Sequence, residues 1–324
     1  MTRTQRARVL LLIAALWATG GAYAQSFPSR PIRFVVPWPA GGPPDAVARL
    51  LGQRLGEVLK QQILIDNRPG ANSIIGTELV ARSAPDGYTY LLTTGSHTTN
   101  AALHAKLPYD TLRDFVSLTQ IGESAGMVLG VHNAVPAKSV QELVALAKSK
   151  PGQLTFGSAG NGNTLHLAGE LFKAATGTRL THVPYKGASL ALTDLLGGHI
   201  DMMFASPLSM APPIREGRLR GIAQMGEKRS SVLPELLTLD ELGIHGARIG
   251  GWYGLYAPAK SPRENTDRVR AEVLKALKEP DIREKIANLG AEPIGLTQDE
   301  FMRFLIADIE RYKKLAQRIN LKIE

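Results

Sequence analysis

The strands of this chain keep ending in the same way. An apolar run stops at glycine, proline or hydroxyl residues, and a helical period follows at once. "PIRFVVPW" (31–38) gives way to "PAGGPPD", and "DAVARLLGQRLGEVL" (45–59) then sets Val47, Leu50, Leu51, Leu55 and Val58 on one helical face. "YTYLLTT" (88–94) ends in "GSHTTN". "QLTFGS" runs into "SAGNGNT", after which "TLHLAGELFKAAT" (164–176) lines up Leu165, Ala168, Leu171, Phe172 and Ala175. Strands alternating with amphipathic helices predict an α/β architecture with mostly parallel sheets.

The rest of the chain fits that rhythm. "QILIDN" (62–67), "GMVLGVH" (126–132), "LRGIAQM" (219–225) and "GWYGLYAP" (251–258) read as strands, and "SVQELVALAKSK" (139–150) as a helix. "THVPYKGASLALTDLLGGHIDMMFAS" reads as strand, turn, helix, Gly-Gly stop and strand. The tail is helical, and its last helix opens at Thr297 with Glu300 three residues on, the capping-box spacing. No repeat and no flexible linker interrupts the chain, so two domains would be joined by strands.

In open α/β sheets, ligands bind at the carboxyl ends of the strands, where the three loops lie. A helix start offers unpaired N–H groups and a partial positive charge, so an anion can be held there without a lysine or arginine. Glycine lets a ligand approach the backbone closely. The alternative is that these are ordinary strand-to-helix turns with capping residues. In the first loop Pro43 and Pro44 have no N–H, while Gly41, Gly42, Asp45 and Ala46 keep theirs. Asp45 suits the first turn of the helix as a cap. Trp38 is either core or a cleft wall. His97, in a Gly/Ser/Thr loop, is a candidate contact; His166 reads as packed or capping.

Catalytic and metal chemistry find little support. There is no cysteine, "FGSAGNG" lacks the G-x-S-x-G spacing, and the seven histidines include no H-E-x-x-H. No cofactor motif is present.

The first residues have the order of a secretory signal. "MTRTQRAR" is basic, "VLLLIAALWATGG" is apolar but short for a membrane span, and "AYA" precedes an expected cleavage before Gln25. Loss of residues 1–24 removes Arg3, Arg6 and Arg8 and lowers the formal charge from +9 to +6. An exported chain without disulfides must be held by its core, which roughly 300 residues can supply. Export and scattered Lys/Arg residues argue against nucleic acid, whereas the modest positive excess suits an anionic ligand.

Taken together, "PSRPIRFVVPWPAGGPPDAVAR", "DNRPGANSIIG", "APDGYTYLLTTGSHTTN", "LPYDTLRDF", "GSAGNGNTLHLAGELF", "HVPYKGASLALTDLLGGHID" and "GWYGLYAPAKSP" resemble, in order, the Bug receptors. These are periplasmic substrate-binding proteins of tripartite tricarboxylate transporters. The resemblance covers residues 27 to 324. It implies a two-lobed periplasmic-binding-protein fold, type II-like, each lobe a mostly parallel sheet flanked by helices. Lobe 1 would hold 27–125 plus 252–324 and lobe 2 would hold 126–251, with "GMVLGVH" and "GWYGLYAP" as crossing strands. It further implies a periplasmic monomer that hands a small carboxylate to the membrane subunits of such a transporter. The expected ligand contacts are Trp38, Gly41, Gly42, Pro44 and Asp45 of the first loop and Ser96, His97 and Thr98 after the third strand. From the opposite lobe come Ser158, Ala159, Asn161 and Thr164, with Ala205 and Ser206 at a strand end.

Two departures stand out. The family's first loop often reads G-G-x-T-D, where this chain has Pro44 for the hydroxyl residue. The strand end often reads F-D, where this chain has Ala205 followed by Ser206. Both make the site less polar and tell against an amino-acid ligand; Trp38, His97, Pro44 and Ala205 together point towards an aromatic or partly apolar acid. The alternatives are a loaded sensor that docks on a signalling kinase and, less favoured, a periplasmic hydrolase.

Overall fold

The computed structural model describes residues 27–124, 126–319 and 321; the expected signal peptide and its cleavage point before Gln25 lie outside them. The first stretch runs β1 (Ile32–Val36), α1 (Pro43–Leu59), β2 (Ile63–Asn67), α2 (Ile74–Ala81), β3 (Thr89–Thr94), α3 (Ser96–Leu103) and β4 (Phe115–Ser124). The second runs β5 (Val128–His132), α4 (Val140–Ser149), β6 (Thr155–Ser158), α5 (Thr164–Thr176), β7 (Thr181–Pro184), α6 (Ala188–Leu196), β8 (Met202–Ala205), α7 (Pro207–Arg215) and β9 (Leu219–Gln224). The chain closes with β10 (Trp252–Pro258), α8 (Arg263–Ala276), α9 (Pro280–Asn288), β11 (Ala291–Pro293) and α10 (Gln298–Arg318).

Two sheets result, one of six strands in the order β11-β4-β10-β3-β1-β2 and one of five in the order β7-β6-β8-β5-β9. Both are mixed. The βαβ portions pair in parallel, β1 with β2 and β3, and β6 with β7 and β8. The strands at the crossovers pair antiparallel: β10 with β3 and β4, and β5 with β8 and β9. A strand arriving from the other sheet needs no crossover helix to reverse it, so parallel pairing is confined to one flank of each sheet.

Alternate residues of one strand feed different cores, as the period of two requires. Phe34 packs with Val47, Leu51 and Leu55 of α1 and Val269 of α8, whereas its neighbour Val35 packs with Tyr256, Phe301 and Leu305 on the other face. The second sheet does likewise: Leu129, Phe156 and Phe204 join Phe172 of α5 on one side, and Val128, Met203 and Ala205 join Met210 of α7 on the other.

The chain crosses between the sheets at two adjoining places. Ser124 N donates to Gly251 O at 2.8 Å, and Met127 N to Ile249 O at 3.2 Å. A β-carbon on Gly126 would lie 2.3 Å from Gly226 N, so the crossing demands glycine there. The expected division puts all of 252–324 in one lobe, yet α10 serves both cores. Its Phe301 and Leu305 are buried with the first sheet, and its Tyr312 with the second. The reciprocal capping box at Thr297 and Glu300 starts this helix, as its spacing predicts.

Candidate functional site

Between the sheets lies a cleft enclosing about 680 Å³ of space, counting its open mouth. The first sheet contributes Trp38, Pro39, Gly42, Pro43, Pro44, Thr94 and Gly95 to its wall. The second contributes Ala159, Asn163, Thr164, Leu165, Ala188, Ser189, Ser206 and Ser209. Ser124, Met127, Gly251, Trp252 and Tyr253 line it at the crossings. The starts of five helices, α1, α3, α5, α6 and α7, therefore face one space, and among the described residues none that lines it is Lys, Arg, Asp, Glu or His. Each helix start carries roughly half a positive charge. The cleft is thus suited to an anion while offering it no ionised side chain.

The loops of the two sheets meet around the cleft. Asn163 Nδ2 donates to Ser96 Oγ at 2.9 Å, bridging the sheets, while Asn163 Oδ1 caps α5 by accepting from Leu165 N at 2.7 Å. A β-carbon on Gly187 would lie 2.6 Å from Pro39 Cγ, so glycine there permits the close approach of the two loops.

On the first sheet the helix start is stripped of donors. Pro43 and Pro44 occupy the opening positions of α1, and Gly42 is its extended N-cap with no side chain to cap it. Gly41 N is already used, donating to Asp45 Oδ2 at 2.9 Å. Asp45 also accepts from Arg49 Nε at 2.9 Å and Asn67 Nδ2 at 3.0 Å. Burial by itself would raise this carboxyl, but the bonds from Arg49, Gly41 and Asn67 hold it below its usual value. It is an ionised strut behind the loop.

On the second sheet the helix starts keep hydroxyls. Thr164 and Ser206 line the cleft, and Ser206 Oγ caps α7, accepting from Ser209 N at 3.4 Å. Behind this wall, Gly162 N donates to His166 Nδ1 at 3.1 Å. His166 stacks on His182 with ring centroids 3.8 Å apart, and His182 Nε2 lies 2.6 Å from Ser158 Oγ. Burial, with His166 adding, pushes the pKa of His182 down to about 3.

Of the residues expected at the site, Trp38, Gly42, Pro44, Ala159, Thr164 and Ser206 line the cleft. Trp38 does double duty, as wall and as a member of the core. The other eight do not line it. Gly41 is exposed and occupied by Asp45, which is itself buried as a cap. Ser158 is turned inward against His182, Asn161 is exposed at the loop tip, and Ala205 is wholly buried in β8.

Ser96, His97 and Thr98 leave the cleft for one reason: "GSHTTN" is helix, not loop, and its side chains turn inward. Ser96 receives Asn163, and Thr98 Oγ1 donates to Asp308 Oδ2 at 2.6 Å. His97 is wholly buried among Tyr109, Phe115 and Tyr256, and burial pushes its pKa down to about 4.

Sequence reasoning missed Trp252, Tyr253 and Met127 at the crossings and Ala188 and Ser189 at the start of α6. The last two had a signal, since "PYKGAS" is a fourth strand-to-helix loop of the same kind. "GWYG" reads as plain strand and carries none. Among the described residues, no group of His, Cys, Asp and Glu could hold a metal ion.

Comparisons with known proteins agree with this geometry. The profile of the family described as "Tripartite tricarboxylate transporter family receptor" matches residues 47–321. BugT of Bordetella pertussis (strain Tohama I) is 32% identical over 323 residues, 98% of this chain and 99% of BugT. Among solved structures, Rpa4515 of Rhodopseudomonas palustris with adipate superposes with a TM-score of 0.88 at 32% identity, over 91% of this chain and 99% of that one. MatC (Rpa3494) of the same organism with bound malate gives 0.84 at 30% identity, over 89% and 99%.

Proposed function

This chain belongs to the tripartite tricarboxylate transporter receptor family, a family of substrate-binding receptors and not of enzymes, and we propose that it captures a small organic carboxylate in the interlobe cleft and delivers it to the membrane subunits of such a transporter. The observation that carries the ligand class is the convergence of five helix starts on a cleft with no charged lining side chain among the described residues. Adipate and malate in the related receptors are of the same chemical class.

The acid we favour is aromatic or otherwise partly apolar. Trp38, Pro39, Pro43, Pro44, Met127, Leu165 and Trp252 supply apolar wall, and among the described residues no acidic side chain lines it to receive an ammonium group. The protein works as a periplasmic monomer after removal of residues 1–24; intact mass of periplasmic material beginning at Gln25 checks the processing. The mature chain divides into a lobe of 27–125 with 252–324 and a lobe of 126–251, and α10 reaches across both.

The test is a thermal-shift screen of residues 25–324 against benzoate, adipate, malate, citrate and glutamate. A ligand that binds only the folded state stabilises it by about 2.7 kcal/mol at a hundredfold excess over Kd. A rise in Tm with at least one carboxylate, and none with glutamate, is expected. No shift with any acid, or a shift with glutamate alone, contradicts the assignment.

A further inference from the structure

Helix α10 passes behind the cleft from one core into the other, and Asp308 lies on it between Leu305, packed with the first sheet, and Tyr312, packed with the second. The residue is 3% exposed. A buried carboxylate is tolerated only when its oxygens are satisfied, and these are. Oδ2 accepts from Thr98 Oγ1 at 2.6 Å and from Trp252 Nε1 at 3.0 Å. Oδ1 accepts from Arg311 Nε at 3.1 Å and Nη2 at 2.6 Å.

Trp252 is a wall of the cleft, and its position is shared between the lobes. A β-carbon on Gly95 would lie 3.2 Å from Thr164 Oγ1 and 3.3 Å from Trp252 Nε1. The indole edge therefore sits where a helix start of the first sheet meets one of the second. Phe301 and Phe304 meet the ring edge-on with centroids 5.9 and 5.5 Å away, and among the described residues the indole N–H has one hydrogen-bond acceptor, Asp308. Resting on the receptor reading above, we propose that Asp308 is a positioning residue for ligand binding: it fixes the indole of Trp252 at the junction of the lobes and so sets the shape of the cleft wall. A carboxylate is required for this. Asparagine has the same shape but one acceptor oxygen, so its amide NH₂ would face either Arg311 or the Thr98 and Trp252 donors.

The test combines an indole signal with a double-mutant cycle in the mature protein. Residues 25–324 contain two tryptophans, 38 and 252, so ¹⁵N-indole spectra show two signals and Trp252→Phe assigns them. In the parent the Trp252 indole N–H should exchange slowly with D₂O, and Asp308→Asn should shift its resonance and speed its exchange. Asp308→Asn should weaken benzoate or adipate binding about tenfold, the loss of roughly one hydrogen bond, but less than twofold once Trp252 is Phe.

An equal loss in both backgrounds would make Asp308 merely structural and overturn the proposal, as would an unaltered indole signal. Should Asp308→Asn not fold, fast indole exchange in the parent still contradicts it. So would Trp252→Phe binding as the parent does. A parent that binds neither acid counts against those ligands in the receptor reading, while the indole result decides the role of Asp308 separately.

Discussion

The two sides of the cleft are built on the same plan and furnished differently. Both present the starts of helices that follow parallel strands. The first side has lost donors, with Pro43 and Pro44 opening α1 and Trp38 and Pro39 beside them. The second side keeps Asn163, Thr164, Ser189, Ser206 and Ser209 at its three helix starts. Helix dipoles act on both sides, but hydroxyl donors are concentrated on one. The difference gives the cleft a direction. A carboxylate finds more donors against the second sheet, and an apolar body fits the proline- and tryptophan-lined first sheet.

The largest expected effect comes from filling the bare side. Gly42 has φ −83° and ψ 169°, which a β-branched residue accepts, and its β-carbon would meet only Pro39 O at 3.6 Å and Pro44 Cδ at 3.8 Å. Gly42→Val should leave the melting temperature of the empty protein close to that of the parent. Its side chain enters the cleft, so calorimetry should show ligand affinity falling about a hundredfold or more, a loss of roughly 2.7 kcal/mol. Parent-like binding would reduce "PAGGPPD" to a turn.

Next in size is the polar side. Thr164→Val keeps shape and removes the hydroxyl of a buried residue that lines the cleft wall. A hydrogen bond to a charged group is worth about 1.5–3 kcal/mol, so a tenfold to hundredfold weaker Kd for the carboxylate is expected. A Kd within twofold of the parent would mean that the anion sits elsewhere, and the contrast between the sides would lose its meaning.

Behind the two walls the lobes are alike in one respect: each holds a neutral histidine, His97 wholly buried in the first and His182 half-buried in the second. Native His97 takes up its proton only near pH 4, while the unfolded chain does so near 6.5. The unfolded state therefore binds more protons between those values. Stability is full above about pH 6.5 and falls as pH drops towards 4. At pH 5 the loss from His97 is about 2 kcal/mol. Urea unfolding at pH 7 and pH 5 measures it, and His97→Gln should flatten the dependence. An unchanged slope in that variant would refute the burial argument.

How much could be read from the sequence follows from how local each signal is. The span 164–176 of α5 and the capping box of α10 rest on neighbours within a turn, and both are found where the pattern puts them. Helix α3 was illegible because Ser and Thr residues compete for backbone bonds and read as a loop, while Thr98 gains a partner 210 residues away. The cleft edges at Trp38, Gly42, Pro44, Thr164 and Ser206 were legible because a strand-to-helix loop announces itself. Trp252 was not: its place on the wall depends on where β10 enters the first sheet, and its partner Asp308 lies 56 residues further on.

The most direct measurement compares a carboxylate with its uncharged carboxamide. The acid giving the largest thermal shift and the matching amide should be titrated into residues 25–324 by calorimetry at the same ionic strength. If converging helix starts hold an anion, the acid binds at least about a hundredfold more tightly, since the amide meets the same walls without the charge. Equal affinity for acid and amide would contradict the account, because the cleft would then be reading shape alone.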